Sequence, residues 1–310
     1  NAFYLDMLDI VYSSTLTADE KFQGVQQYLD VPDFIHYMLI NYYVGNTDWD
    51  HQNWYASRNR VDPGALWRFH SWDAEHVLKG AGDNVTGTNH YGAPTGIHHQ
   101  LMASQEYALL FADAAHRALF NDGVLTPSAA SALYNERLQA VDQAVIGESA
   151  RWGDNAYPDA PYTRDGDWVA ERDRLLDVYF PGRTQTVINQ LRGRGWYPEL
   201  DAPELSTHGG KVPEGFGVTI TNPDGVGTIY YTLDGTDPRE LGGPIAAGAI
   251  AYAPGATITL TDSVWLLARV RNGADWSPVC DAIFEVGGAP PVAITEIHYH
   301  PAAPTDSEVA

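Results

Sequence analysis

Residues 46–75 read NTDWDHQNWYASRNRVDPGALWRFHSWDAE, and the rest of the chain is organised around them. The stretch opens in a polar loop holding Asp48 and Asn53 and closes in Asp73-Ala74-Glu75. Between these ends, Trp54-Tyr55 and Leu66-Trp67-Arg68-Phe69 are rich in strand formers, and Asp62-Pro63-Gly64 is a turn signal. The reading is a hairpin with acidic groups and an amide on the loops at its two ends. That arrangement is what a divalent-metal phosphoryl-transfer site needs.

Working outward, residues 1–45 are expected to be helical. Thr17-Ala-Asp-Glu20 fits a capping box, and Pro32 suits the first turn of a further helix. Ile35, Met38, Leu39 and Tyr42 follow the spacing that turns one helix face to a core, and Gly45 is its stop. Residues 80–100 hold five glycines and are expected to form a mobile loop where a substrate lid would sit. Helical spacing returns over Glu106–Phe120 and Pro127–Ile146, then over Glu148–Asp154 and Asp167–Leu191. From Pro203 the chain alternates Thr, Val, Ile and Tyr between Asp-Gly and Asn-Gly turns, which reads as a small antiparallel sandwich. Val292–Tyr299 is one more apparent strand after Pro290-Pro291.

The chain of 310 residues has a formal charge of −22. There are 14 basic against 27 acidic residues before Pro203 and 4 against 13 from there on. Both parts are acidic, which argues against nucleic acid and anionic membrane as partners and favours basic or neutral ones, or a salt-tolerant secreted surface. No apolar run is long enough for a membrane span. The single cysteine, Cys280, forms no intrachain disulfide and is expected to be buried and inert. A chain that starts at Asn1 is read as a piece of a longer protein, so the lack of a leader is uninformative.

Asp48 and Asn53 are spaced D-x-x-x-x-N, as in the catalytic loop of protein kinases. There the aspartate accepts the proton of the acceptor hydroxyl, while the asparagine and a later aspartate hold the metal. Asp73 stands in that later position. The structural alternative is that Asn46 and Asp48 cap or turn the chain and Asp73 pairs with Arg68 or Arg58. A calcium loop starting at Asp48 lacks the glycine and glutamate it requires, having Asn53 and Asn59 there.

The runs Asn46–Tyr55 and Trp67–Glu75, with the later Glu148-Ser-Ala-Arg-Trp-Gly-Asp154, resemble the CotH kinase family of atypical protein kinases, which includes secreted bacterial members. The resemblance covers 1–198 as the C-lobe of such a kinase. It implies Asp48 as the catalytic aspartate and Asn53 and Asp73 as ligands of Mg²⁺ or Mn²⁺ bound with ATP. Glu75, where family members often carry aspartate, joins the metal set. The ATP-anchoring lysine would lie upstream of Asn1, leaving this stretch alone inactive. Thr228–Pro238 with Ala268–Gly273 resembles the chitobiase/β-hexosaminidase C-terminal type of immunoglobulin-like domain, expected over 203–286. Ala293–Pro301 resembles the first strand of a lamin-tail-type domain, expected over 291–310.

The expected fold is therefore multidomain: a mainly α (α+β) atypical kinase C-lobe followed by an all-β immunoglobulin-like sandwich. The expected function is transfer of the ATP γ-phosphoryl to Ser or Thr of a secreted, surface or coat protein, outside the cell. The rival is a non-catalytic surface protein whose kinase fold is a scaffold and whose sandwich binds polysaccharide or protein. Among other candidates, His98-His99, His298 with His300, and Arg192 with Arg194 are read as structural or solvated. Trp265 and Trp276 are expected in the sandwich core.

Overall fold

The computed structural model describes residues 2–155 and 157–287. Val292–Tyr299, His298 and His300 lie outside the described residues. The helical half opens with α1 (Ala2–Val11), α2 (Ala18–Val25) and α3 (Val31–Val44). The capping box forms: the Thr17 amide donates to Glu20 Oε2 at 2.8 Å, and the Glu20 amide to Thr17 Oγ1 at 3.3 Å. In α3, Asp30 caps the Asp33 amide, and Phe34, Ile35, Met38, Leu39 and Tyr42 are buried. The helix stops at Gly45 with φ 61°, where a Cβ would also stand 3.2 Å from that of Asp83.

The hairpin is β1 (Trp54–Ser57) and β2 (Arg68–Ser71), antiparallel, with Trp54 opposite Ser71 and Ser57 opposite Arg68. Aromatic packing seats it on α3, with Phe69 against Phe34 at 5.2 Å and Tyr37 at 5.8 Å between ring centroids. Beyond it come α4 (Pro94–Leu101), α5 (Gln105–Leu119) and α6 (Pro127–Trp152). The last pair are α7 (Val169–Arg174) and α8 (Phe180–Gly193), each preceded by a π-helical turn, Arg164–Trp168 and Leu175–Tyr179.

Three expectations change here. The glycine-rich segment is not a free loop to residue 100, because Pro94 opens helix α4 within it. Its preceding part is tied down: Tyr4 Oη donates to Gly92 O, the Gly92 amide to Tyr12 Oη, and Arg183 to Ala81 O and Asp83 O. Residues 148–152 are not a separate element but the last turns of α6. Asp167–Leu191 is not one regular helix. Pro181 has no amide hydrogen to offer, and the backbone ladder widens into a π turn just before it.

The second half is built of strands β3 (Glu204–Leu205), β4 (Gly210–Val212), β5 (Phe216–Val218), β6 (Ile220–Thr221), β7 (Thr228–Thr232), β8 (Ile250–Ala251), β9 (Ile258–Leu260), β10 (Val264–Asn272), β11 (Asp275–Trp276) and β12 (Cys280–Val286). The main sheet runs β4-β12-β10-β7-β8, with β11 also on β10, while β3–β6 and β5–β9 are separate pairs. Pairing is antiparallel except for β4 on β12, which is parallel, so the purely antiparallel expectation does not hold. Strand β10 is buried without alternation from Leu266 to Val270. One face, with Leu266, Ala268 and Val270, fills the core of this half. On the other, Arg269 meets α5 of the helical half. Trp276 and Cys280 are buried, and burial pushes the Cys280 thiol up to about 12. Trp265 departs from the core expectation, at 44% exposure. It precedes Leu267 and Arg269 on the covered face of β10, and its ring lies over Gly235 (φ 80°), where a Cβ would come within 2.6 Å of it.

Candidate functional site

Helix α3 delivers the chain to a loop closed by side-chain amides. Asn46 Nδ2 donates to Asn41 Oδ1 at 3.0 Å, and Asn46 Oδ1 accepts from the Asp48 amide at 3.2 Å. Asn53 Nδ2 grips Asp48 twice, at the backbone carbonyl (3.1 Å) and at Oδ2 (2.9 Å), while Gln52 Nε2 takes Oδ1 at 2.9 Å. The grip requires Asn53 at φ 59°, a left-handed conformation that asparagine tolerates better than most residues. Trp49 anchors the loop in the core, with Nε1 donating to Tyr37 Oη at 2.7 Å. The loop is thus fixed from below, with Asp48 half-buried at its surface.

The far end of the hairpin comes back to this loop through main-chain bonds. The Trp72 amide donates to Asn53 O at 2.9 Å, the Thr47 amide to His76 O at 3.1 Å, and the Leu78 amide to Val44 O at 2.8 Å. Asp73 sits just after the first of these, at φ 48°. One ligand atom from each of Asp48, Glu75 and His76 then falls within 4.8 Å of the others. Asp73 is not in that set, yet it feels it. The Glu75 carboxylate first, and the Asp48 charge after it, raise its carboxyl above the usual range although Asp73 itself is exposed.

Of the residues expected from sequence, the structure therefore gathers Asp48, Asn53, Asp73 and Glu75 around one surface. The alternative pairing of Asp73 is not what forms. Arg68 is bound to Asp30 at 2.7 Å, and Arg58 bonds Ala65 O and lies over the Phe3 ring. Among the described residues no lysine or arginine pairs with Asp48, Asp73 or Glu75; their only charged contacts are His51 to Asp48 at 3.6 Å and His76 to Glu75 at 3.5 Å. Lys79 Nζ lies 2.6 Å from His76 Nδ1 instead. Carboxylates gathered without a counter-cation are a donor set that fits a hard divalent ion.

Sequence reasoning missed His76, Asp50, His90 and Arg183. His76 follows the acidic tripeptide and could have been added to it by proximity. Arg183 is fully buried and donates to Tyr42 O and Tyr43 O, at 2.5 and 2.6 Å, where α3 ends, besides Ala81 O and Asp83 O. It ties the start of the Asn46–Asn53 loop to the segment after the acidic cluster. His98 and His99, placed by the sequence in the glycine-rich loop, are in α4. His98 is wholly buried, bonded to Tyr107 Oη at 2.9 Å and edge-on to Trp196, and burial holds its pKa far below the ordinary histidine value.

The local order is helix, polar loop, hairpin, acidic cluster, which is compatible with a kinase-like C-lobe. A family model described as CotH kinase protein matches residues 2–176, more than half of the sequence, and the chain belongs to that family. No curated protein and no solved structure matches it.

Proposed function

We propose that this protein is an atypical protein kinase that transfers the γ-phosphoryl of ATP to a Ser or Thr hydroxyl of a secreted, surface or coat protein. The observation that carries this reading is the acidic site of Asp48, Asp73 and Glu75, held in kinase order and left without lysine or arginine. Asp48 is the residue that orients the acceptor hydroxyl and takes its proton. Its Oδ2 is held by Asn53, so the carboxylate is positioned before substrate arrives. Asn53, Asp73 and Glu75, with His76 beside them, would hold the divalent ion. Such an ion, Mg²⁺ or Mn²⁺, supplies charge neutralisation for the phosphates. The −22 charge favours a basic acceptor protein, and the family resemblance favours export to the cell surface.

The second half is proposed as a chitobiase C-terminal-type module, with a lamin-tail-type segment beginning after Pro291. The half-exposed Trp265 favours a second role for it, in polysaccharide binding. Phosphate transfer from labelled ATP to a basic serine-containing peptide, by the full-length protein, tests the main reading. Asp48→Ala and Asp73→Ala should each abolish labelling. Equal labelling by wild type and both variants would overturn the assignment.

A further inference from the structure

Asp50 lies two residues beyond Asp48 and has no exposed surface. A buried carboxylate needs partners, and Asp50 has two. Its Oδ2 accepts from the Thr95 amide at 2.6 Å, and its Oδ1 lies 2.7 Å from His90 Nδ1. The first contact caps α4, whose own N-cap, Ala93, has no side chain able to do so. Capping explains Asp50 but leaves His90 unexplained. That ring is 47% exposed, and among the described residues nothing bonds its second nitrogen. It faces the His51 ring edge-on at 6.0 Å, and His51 Nε2 lies 3.6 Å from Asp48 Oδ1. Asp48, His51, His90 and Asp50 thus run side by side, from the carboxylate that takes the acceptor proton to a buried anchor.

An ionised carboxylate only accepts hydrogen bonds, so His90 carries a proton on Nδ1 and turns Nε2 outward. A carboxylate behind an imidazole fixes both tautomer and ring direction, as it does wherever a histidine must meet a substrate in one orientation. When the ring also carries a proton on Nε2, the Asp50 carboxylate behind it balances the charge and Nε2–H is the outward-facing donor. We propose that His90 is a further catalytic residue of this site, donating Nε2–H to an oxygen of the phosphoryl group in transit, with Asp50 as its positioning residue. The ring forms no covalent bond. The γ-phosphoryl passes from ATP to the acceptor oxygen as its bond to the β–γ bridging oxygen breaks and ADP leaves, and the acceptor's proton passes to Asp48.

The proposal rests on the kinase reading of Asp48, and its tests separate the two. In the full-length protein His90→Phe should lower kcat by about 100-fold, the size of the loss of one oxyanion donor. The KM for ATP should hold, and His90→Gln, which keeps an N–H donor, should recover most of the rate. In ¹⁵N-histidine spectra of the unsubstituted protein, O-phosphoserine should shift the His90 ring. Asp50→Asn, which removes the carboxylate behind Nδ1–H, should change the His90 ring ¹⁵N shifts and weaken their response to O-phosphoserine, which loss of a helix cap alone would not do. Transfer by folded His90→Phe within about twofold of wild type would overturn the proposal, as would a His90 ring unmoved by phosphoserine. If the protein transfers no phosphate at all, the kinase reading fails. The phosphoserine titration needs no turnover and still decides the role of His90.

Discussion

Asp48 and Asp113 are both acidic residues held by hydrogen bonds in a chain of 40 acids and 18 bases, and they are treated in opposite ways. Asp113, on α5, is buried at the junction of the two halves. Arg269 bonds both of its oxygens, at 2.7 and 2.6 Å, and the Val279 amide adds a third contact. Asp237 and Ser277 O satisfy the rest of the same guanidinium. Arg239 with Glu106 and Arg117 with Asp281 repeat the pairing around it. Among the described residues the Asp48 carboxylate is hydrogen-bonded by two side-chain amides and approached by the His51 imidazole, and neither it nor its neighbours Asp73 and Glu75 receive lysine or arginine. Cations are scarce here, and the fold places them on acids that hold structure. Under the proposed function, Asp48, Asp73 and Glu75 are the acids at which an added divalent cation is expected to act.

Four experiments press on this contrast, taken from the largest expected effect down. Asp48→Ala should cost at least about 10³-fold in transfer rate while leaving the melting temperature nearly unchanged. Arg269→Met should do the reverse. It leaves Asp113 buried and unpaired, at a cost of about 3–5 kcal/mol in urea unfolding, with cation binding intact. A comparable loss of stability in Asp48→Ala would erase the distinction.

The third concerns pH. Burial, with the His208 charge behind it, pushes His116 down to about 4. Its folded pKa is below its unfolded one, so the unfolded chain binds the extra proton between about 6.5 and about 4. The stability held above that window is lost as pH falls through it, and His116→Gln should flatten the slope. Glu106 works in the same sense at lower pH, since the hydrogen bond from Arg239 lowers its pKa. The smallest effect belongs to Glu75→Gln. Removing the charge that raises Asp73 should let that carboxyl titrate lower, as carbon-detected NMR would show.

Local chemistry made much of the first half legible. The Thr17 capping box, the buried stripe of α3, the Gly45 stop and the Trp54–Ser71 hairpin each depend on residues close in sequence, and each forms. Asp48, Asn53, Asp73 and Glu75 were singled out from their order along the chain, and the fold brings them to one surface. What escaped depends on distant partners. Asp50 meets His90 40 residues away, and Asp113 meets Arg269 156 residues away. No periodicity in either segment announces such a pair. Helix α4 was hidden because its cap is Asp50 rather than a residue beside it. Trp265 was misjudged because the habit of sandwiches to bury tryptophan does not say which position of a strand is left at the surface.

Calorimetric titration of the full-length protein with Mg²⁺ or Mn²⁺ tests the contrast most directly, alongside Asp48→Asn, Asp73→Asn and Arg269→Met. The expected result is cation binding that is weakened at least about tenfold by Asp73→Asn, as loss of a charged ligand requires, weakened less by Asp48→Asn, which removes only a neighbouring charge, and kept in the arginine variant. Cation binding that is absent from the wild type, or that both aspartate variants retain in full, would contradict it.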